Sequence, residues 1–382
     1  MEILVASAVM LVIIFVLLQV IAGMNSVWSN TSGAISNFQS ARSAFTVINR
    51  ELARATLKTY LDYINNPSTN NSPFGVFRTG LSLEQQQTFV PYSFARASEL
   101  HFVCGPATGI IPSGASAVNN PGDAVFFQAP LGVVAAQNQT TDKYLQGSLD
   151  DIGFYVQYGD LSPRQFPSWL NSFFGGATHN AFRLVEAMEP TENLSVYQQT
   201  STGNYNLGWL PAVSGTAFPV SGSTYDQSIL AQDVLLLIVR PRVETVDEQL
   251  LAPKFGETYG PATQNAIISP NYVYDSRSWQ PGYTFTVNLV KNSTYAIYMR
   301  NQLPPIVDVA MLCADPNSLT HMHISSQGTP PAVLEPPASL FANSSNMDAD
   351  LATFGQQLAA NHIRYRIFRS SVQILSAAWV NE

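Results

Sequence analysis

Residues 1–22, MEILVASAVMLVIIFVLLQVIA, decide the architecture. From Ile3 to Ala22 only Ser7 and Gln19 are polar, and the run holds no Pro, Lys or Arg. A helix rises about 1.5 Å per residue, so about 20 residues cross a hydrocarbon core of about 30 Å. The run has that length and predicts a helix in an apolar medium. A secretory signal would show a basic start, a shorter apolar core and a small-residue cleavage site. None of the three is evident. Glu2 places a carboxylate at the edge of the apolar run, where a lone charge is costly unless neutralised or paired.

The helical pattern continues beyond this run. Residues 27–60 contain no Pro and a single Gly, with apolar side chains at Ile35, Phe38, Ala41, Phe45, Ile48, Leu52, Ala55 and Tyr60. Their spacing alternates mostly between three and four, which makes a narrow stripe on a long helix. Arg42, Arg50, Glu51, Arg54 and Lys58 fall on its other faces. The reading is one continuous helix with an apolar segment over 1–25 and an amphipathic half over 26–63. Ile35, Phe38, Phe45, Ile48 and Leu52 are its packing residues, and Asn65-Asn66-Pro67 is its stop.

From residue 64 to 382 the pattern changes to short β-branched and aromatic runs separated by Gly, Pro, Ser and Asn. Strands are expected at 98–104, 124–129, 152–158, 181–188, 233–240 and 306–313, with a final hairpin from 362–368 and 371–378. Ser339 to Ala360 reads as helical, with Asn346 or Asp348 placed to cap it. The intervals 105–122, 198–230 and 253–282 read as long surface loops, the natural place for a local function. The fold class is therefore α+β: a long N-terminal helix packed on a large antiparallel β-rich head.

Composition narrows the function. Hydrophobic residues make up 46% and charged residues 12%, with a formal net charge of −8 and no Lys/Arg-rich run. That balance argues against a nucleic-acid partner, which would need a basic surface. Only Cys104 and Cys313 occur, so neither a disulfide framework nor a paired-cysteine metal knuckle is available. An oxidising compartment would allow one long-range disulfide between them; the alternative is two separate buried thiols.

Catalytic signals are thin. His321-Met322-His323 could offer two metal ligands, but no third is placed nearby. Asp315-Pro316-Asn317 and Asp348-Ala349-Asp350 lack the spacing of a calcium loop and read as turn and cap residues. No nucleophile elbow or phosphate cradle is present. The expectation is a non-enzymatic protein with no metal, no cofactor and no catalytic residue.

The N-terminal run followed by an amphipathic helix resembles the mature N-terminus of type IV pilins and type II secretion pseudopilins. In that family a leader ending in Gly is cut before an aromatic residue, and a Glu at the fifth mature position opens the apolar helix. Glu2 matches that Glu, while the leader and the first mature residues have no counterpart here. The chain is also similar to the large pilin-like proteins called Verru_Chthon cassette protein C, related to J-type minor pseudopilins. The segments that carry this are FQSARSAFTVINRELARATLKTYLDY (38–63), VLLLIVRPR (234–242), QLPPIVDVAML (302–312) and IRYRIFRSSVQILSAAW (363–379).

The resemblance implies a minor structural subunit of a type IV pilus or type II secretion-like filament, held in a bacterial inner membrane with a periplasmic head before assembly or surface display. It implies other pilin-like subunits, membrane assembly machinery, a prepilin peptidase and membrane lipid as partners. It also implies that Glu2 meets the N-terminal amine of a neighbouring subunit and sets axial register. The alternative for Glu2 is an acid at a helix start, favoured by the helix dipole. The alternative for the chain is a single-span, membrane-tethered binding or adhesion protein that does not polymerise.

Overall fold

The computed structural model describes residues 2–66, 77–78, 81, 83–111, 115–134, 138, 144–145, 147–160, 180–198, 208–211, 225–278, 297–322, 324 and 328–379. Within the first helix, side chains are described at Ser7, Met10, Leu11, 13–21, Met24, Trp28 and from Thr31 onward. The architecture is α+β with antiparallel sheets.

The opening helix α1 runs Glu2–Leu52 and is 51 residues long. After it come β1 (Tyr60–Ile64), α2 (Leu83–Gln87), β2 (Ser93–Ala97), β3 (Val103–Pro106), α3 (Ala107–Ile110), β4 (Asp123–Pro130), β5 (Leu149–Asp160) and β6 (Asn180–Glu189). The chain continues through β7 (Asp226–Gln232), β8 (Val234–Arg242), α4 (Thr245–Leu251), β9 (Tyr274–Asp275), β10 (Ile306–Ala314), α5 (Pro316–His321), α6 (Met347–Ala360) and β11 (Tyr365–Gln373). Among the described residues three sheets form, in the orders β7-β6-β5-β4-β3-β9, β11-β10-β8 and β1-β2.

The two larger sheets share one core. Strand β8 is almost wholly buried because VLLLIVRPR packs against β4, β5 and β6 as well as pairing with β10. A single parallel bridge between Gly122 and Leu237 ties the sheets where they meet. Gly122 has φ +80°, and a Cβ there would lie 2.3 Å from the Leu237 carbonyl oxygen. Only glycine combines that backbone conformation with that approach. Aromatic side chains fill the space between layers: Phe102, Phe126, Phe127, Phe154 and Trp209 are all fully buried.

Helix α1 ends earlier than the 26–63 reading predicts. Past Leu52 the backbone finds partners outside the helix: Thr56 N–H donates to the Gln128 carbonyl, and the Ala53 carbonyl accepts from Leu375 N–H. The Ser376 hydroxyl takes the Ala55 carbonyl, and Lys58 has φ +43°, which a helix cannot continue. The stripe read through Ala55 because Ala55 is buried, although it is not helical. Tyr60 belongs to strand β1.

Other expectations shift in register. The strand expected at 98–104 begins only at Val103, since the Phe102 amide is held by the Ser276 hydroxyl and its carbonyl by Ser276 N–H. The expected final hairpin is one straight strand, β11, paired along its length with β10. Ser370 is turn-prone, but β10 offers a continuous ladder that holds the chain extended through it. The helix expected over 339–360 spans only Met347–Ala360; Asn346 sits at its N-cap without a side-chain cap bond.

All three expected loops carry structure: helix α3, with Ala107 and Ile110 buried, lies inside 105–122. Strand β7 begins inside 198–230, and much of the segment Ala266–Arg277 inside 253–282 is buried. Its backbone is satisfied by turns such as Ser269 N–H to Ala266 and Tyr272 N–H to Ser269. The Ser269 hydroxyl also donates to the Pro241 carbonyl. A buried irregular segment persists only when its polar groups are paired in this way.

Candidate functional site

Helix α1 divides into two parts by what its side chains touch. From Ala41 onward the stripe is seated: Ala41, Ile48 and Leu52 are fully buried, with Ala44 and Phe45 nearly so. It lies on β10, β11 and β7, with Phe45 against Phe368 at 5.9 Å between ring centroids. Phe38 is half-buried and carries the Arg366 guanidinium over its ring at 5.3 Å. Asn37 donates its amide to the Ala314 carbonyl at 3.2 Å and so marks where the seat begins.

Toward the N-terminus of that point the described apolar side chains face outward. Leu11 is 67% exposed, Phe15 61%, Leu18 59% and Trp28 79%. Among the described residues no helix is long and apolar enough to cross a membrane; much of the apolar run expected over 1–25 has side chains outside the described set. Glu2 opens α1, and its side chain, expected to serve assembly, lies outside the described residues.

Ile35 departs from the expected packing set, being 53% exposed. It lines a groove of about 570 Å³ between α1 and the head, together with Thr31, Phe38, Asn317, His321 and His362. The helix has begun to lift away from the sheet at this level, so one face of the stripe looks into open space. His321 sits in this wall, and His323 lies outside the described residues. Asp315 caps α5, accepting from the Asn317 amide and the Ser318 hydroxyl. Asp348 pairs with Arg369 and Asp350 accepts from Phe341 N–H, both structural roles. Among the described residues, no group of three metal-ligating side chains forms.

Cys104 and Cys313 are both free and buried, which corrects the disulfide alternative. Cys104 lies on β3 and Cys313 on β10, in different sheets. Cys313 faces α1, where the Asn37 amide reaches its sulfur at 3.6 Å. Burial, with Asp233 adding to it, pushes the Cys313 thiol up to about 12. Burial likewise pushes Cys104 well up. Neither thiol is activated for chemistry.

Sequence reasoning missed a buried polar constellation in the core. His101 Nε2 lies 2.7 Å from Asp275 Oδ1, and Trp209 Nε1 donates to His101 Nδ1 at 3.2 Å. An indole N–H only donates, so Nδ1 is the acceptor and the proton sits on Nε2, facing the carboxylate. Burial pulls the histidine down to about 4, outweighing the opposing pull of Asp275. The ring is therefore a neutral bridge that joins the segment before β3 to Asp275 on β9 and to Trp209.

Asp123 is a second such group. It accepts from Val239 N–H at 2.8 Å beside the Gly122 bridge, and burial pushes it up to about 8. Asp308 is a third, gripping Arg240 at 2.7 Å and Arg242 at 2.9 Å across β8 and β10. Burial raises its carboxyl, but hydrogen bonds from Ser371 and Arg240 with both arginine charges hold it below the usual range. These groups are inside the head and join sheets or strands. They are hundreds of positions or separate strands apart, so no local motif announces them.

No family model matches this chain, and neither curated proteins nor solved structures give a match. The pilin-like resemblance therefore rests on the segments quoted above.

Proposed function

We propose that this chain is a non-enzymatic, minor pilin- or pseudopilin-like subunit that assembles through α1 and presents the β-rich head. The observation that carries this reading is the division of α1 at Asn37: a seated half with Ile48 and Leu52 buried, and a half whose Leu11, Phe15 and Leu18 face outward. Exposed apolar surface of this extent on a helix marks contact with lipid or with other helices. Equivalent helices of neighbouring pilin-like subunits are the partners that the resemblance supplies, with lipid holding the chain before assembly. A head of this size suits a tip or decorating position, where one copy meets no steric limit. Glu2 at the start of α1 is the register residue in this reading, since an unpaired buried charge costs several kcal/mol.

The test is the mass of the N-terminal peptide of protein taken from its native membrane. An N-methylated amine on a residue encoded upstream of Glu2 is expected from prepilin processing. A formylated or unprocessed Met1 would leave a membrane-tethered binding protein instead.

A further inference from the structure

The two-stranded sheet carries an exposed aromatic face that neither the core nor α1 uses. Strands β1 and β2 pair in register, with Leu61 opposite Arg96 and Tyr63 opposite Phe94. One face is closed by a small satellite core of Ile64, Phe77 and Ala97. Residues alternate across a strand, so Leu61, Tyr63, Phe94 and Arg96 occupy the opposite face, with Arg96 half-buried at the end opposite Leu61. That face is open: Leu61 is 72% exposed, Tyr92 66% and Phe94 58%. Tyr63 and Phe94 lie 4.4 Å apart between ring centroids and form one aromatic surface. Beside it runs a groove of about 620 Å³ whose described lining includes Asn65, Asn66, Thr88 and Tyr92 and no charged side chain.

We propose that this face and groove bind a neutral oligosaccharide. The electron-rich faces of Tyr63, Tyr92 and Phe94 attract the weakly positive C–H faces of pyranose rings. Side-chain amides and a hydroxyl at the edge suit sugar hydroxyls, which both donate and accept. The described lining of the groove carries no charged side chain, and Arg96 on the adjoining face is half-buried, which suits a neutral ligand better than an acidic or phosphorylated one. The volume falls within the range of about 300–1,000 Å³ usual for small-ligand sites. A stable protein–protein contact draws on about 20–30 residues a side, many more than the large side chains on this face. The surface is thus of a size for an extended sugar chain and too small for a lasting contact with a second copy. This proposal does not depend on the assembly reading.

The test uses the full chain in a detergent without a sugar headgroup, with cellohexaose, chitohexaose and mannohexaose as probes. Saturation-transfer NMR is expected to show binding of at least one, weakened about tenfold by Tyr63→Ala or Tyr92→Ala. Val246→Ala, an exposed site on α4, is expected to leave binding unchanged. Both tyrosines are solvent-facing, so the variants keep the fold, which the thermal transition checks. Three results would each overturn the proposal: no binding of any of the hexasaccharides, binding unaffected by both tyrosine variants, or a wild-type dimer that those variants dissolve.

Discussion

The side-chain amide of Asn37 holds the backbone carbonyl of Ala314 at 3.2 Å, across 277 positions of sequence. It joins α1 to the end of β10 where the helix passes from open space onto the head. Replacing Asn37 by Leu removes this hydrogen bond and should cost about 1 kcal/mol. Hydrogen exchange should quicken over residues 37–41 and stay unchanged near Leu52. Unaltered exchange at both places would show that the helix is held by the stripe alone.

The two halves of α1 should respond oppositely to truncation. Ile48 is fully buried, so Ile48→Ala should destabilise the head by about 2–5 kcal/mol. Phe15 is 61% exposed, so Phe15→Ala should leave the melting temperature of the head where it is. Equal losses from both would contradict the division of the helix.

Gly122→Ala should be among the most damaging single-methyl additions. The new Cβ would meet the Leu237 carbonyl at 2.3 Å, with φ at +80°. Strain of this kind costs about 1–3 kcal/mol before the clash is counted. Chemical denaturation would show it as a lower midpoint, and an unchanged midpoint would mean that the sheets can part there freely.

Asp123 should make stability fall as the solution becomes more basic. Its folded carboxyl is pushed up to about 8 against an unfolded value near 3.8, so the folded chain binds the extra proton. Stability from this group is full below the unfolded value and is lost as pH rises through the folded one, at about 1.4 kcal/mol per pH unit. Asp123→Asn keeps an acceptor for Val239 N–H and should flatten the decline between pH 6 and 8. An identical slope in the variant would show that Asp123 is already ionised in the folded protein.

His101 contributes with the opposite sign. Its folded value is drawn down to about 4, so the unfolded chain binds the proton first and acid destabilises the fold through that window. Between about pH 4 and 6.5 the two groups oppose one another. Above that range Asp123 acts without His101, which makes the basic side the cleaner place to measure.

Much of the scaffold is legible in the residues, for a physical reason. Strands such as β4, β5, β8 and β10 are long runs of β-branched and aromatic side chains, and their bounds fall close to those runs. Boundaries set by distant partners are not legible. The end of α1 depends on Leu375 and Ser376, more than 300 residues away, and the Phe102 amide depends on Ser276. Strand β9 is two residues long and exists because β3 lies beside it. The His101–Asp275–Trp209 bridge had no sequence signal, because its members come together only when the sheet is built. The seat was readable at Phe45, Ile48 and Leu52, yet Ile35 follows the same spacing and faces a groove instead. Periodicity tells which side of a helix is apolar, whereas the length of the partner sheet decides how much of that side is covered.

Cross-linking from the exposed half of α1 tests the central claim most directly. The native thiols are buried and pushed well above neutral pH, so an introduced cysteine is the reactive one. In native membranes Phe15→Cys, treated with a short bismaleimide, should give a covalent product with a second pilin-like chain bearing its own α1 cysteine. Val246→Cys, exposed on α4 of the head, should stay unlinked. A Phe15→Cys protein that remains a single chain under conditions where its thiol is labelled would contradict assembly through α1.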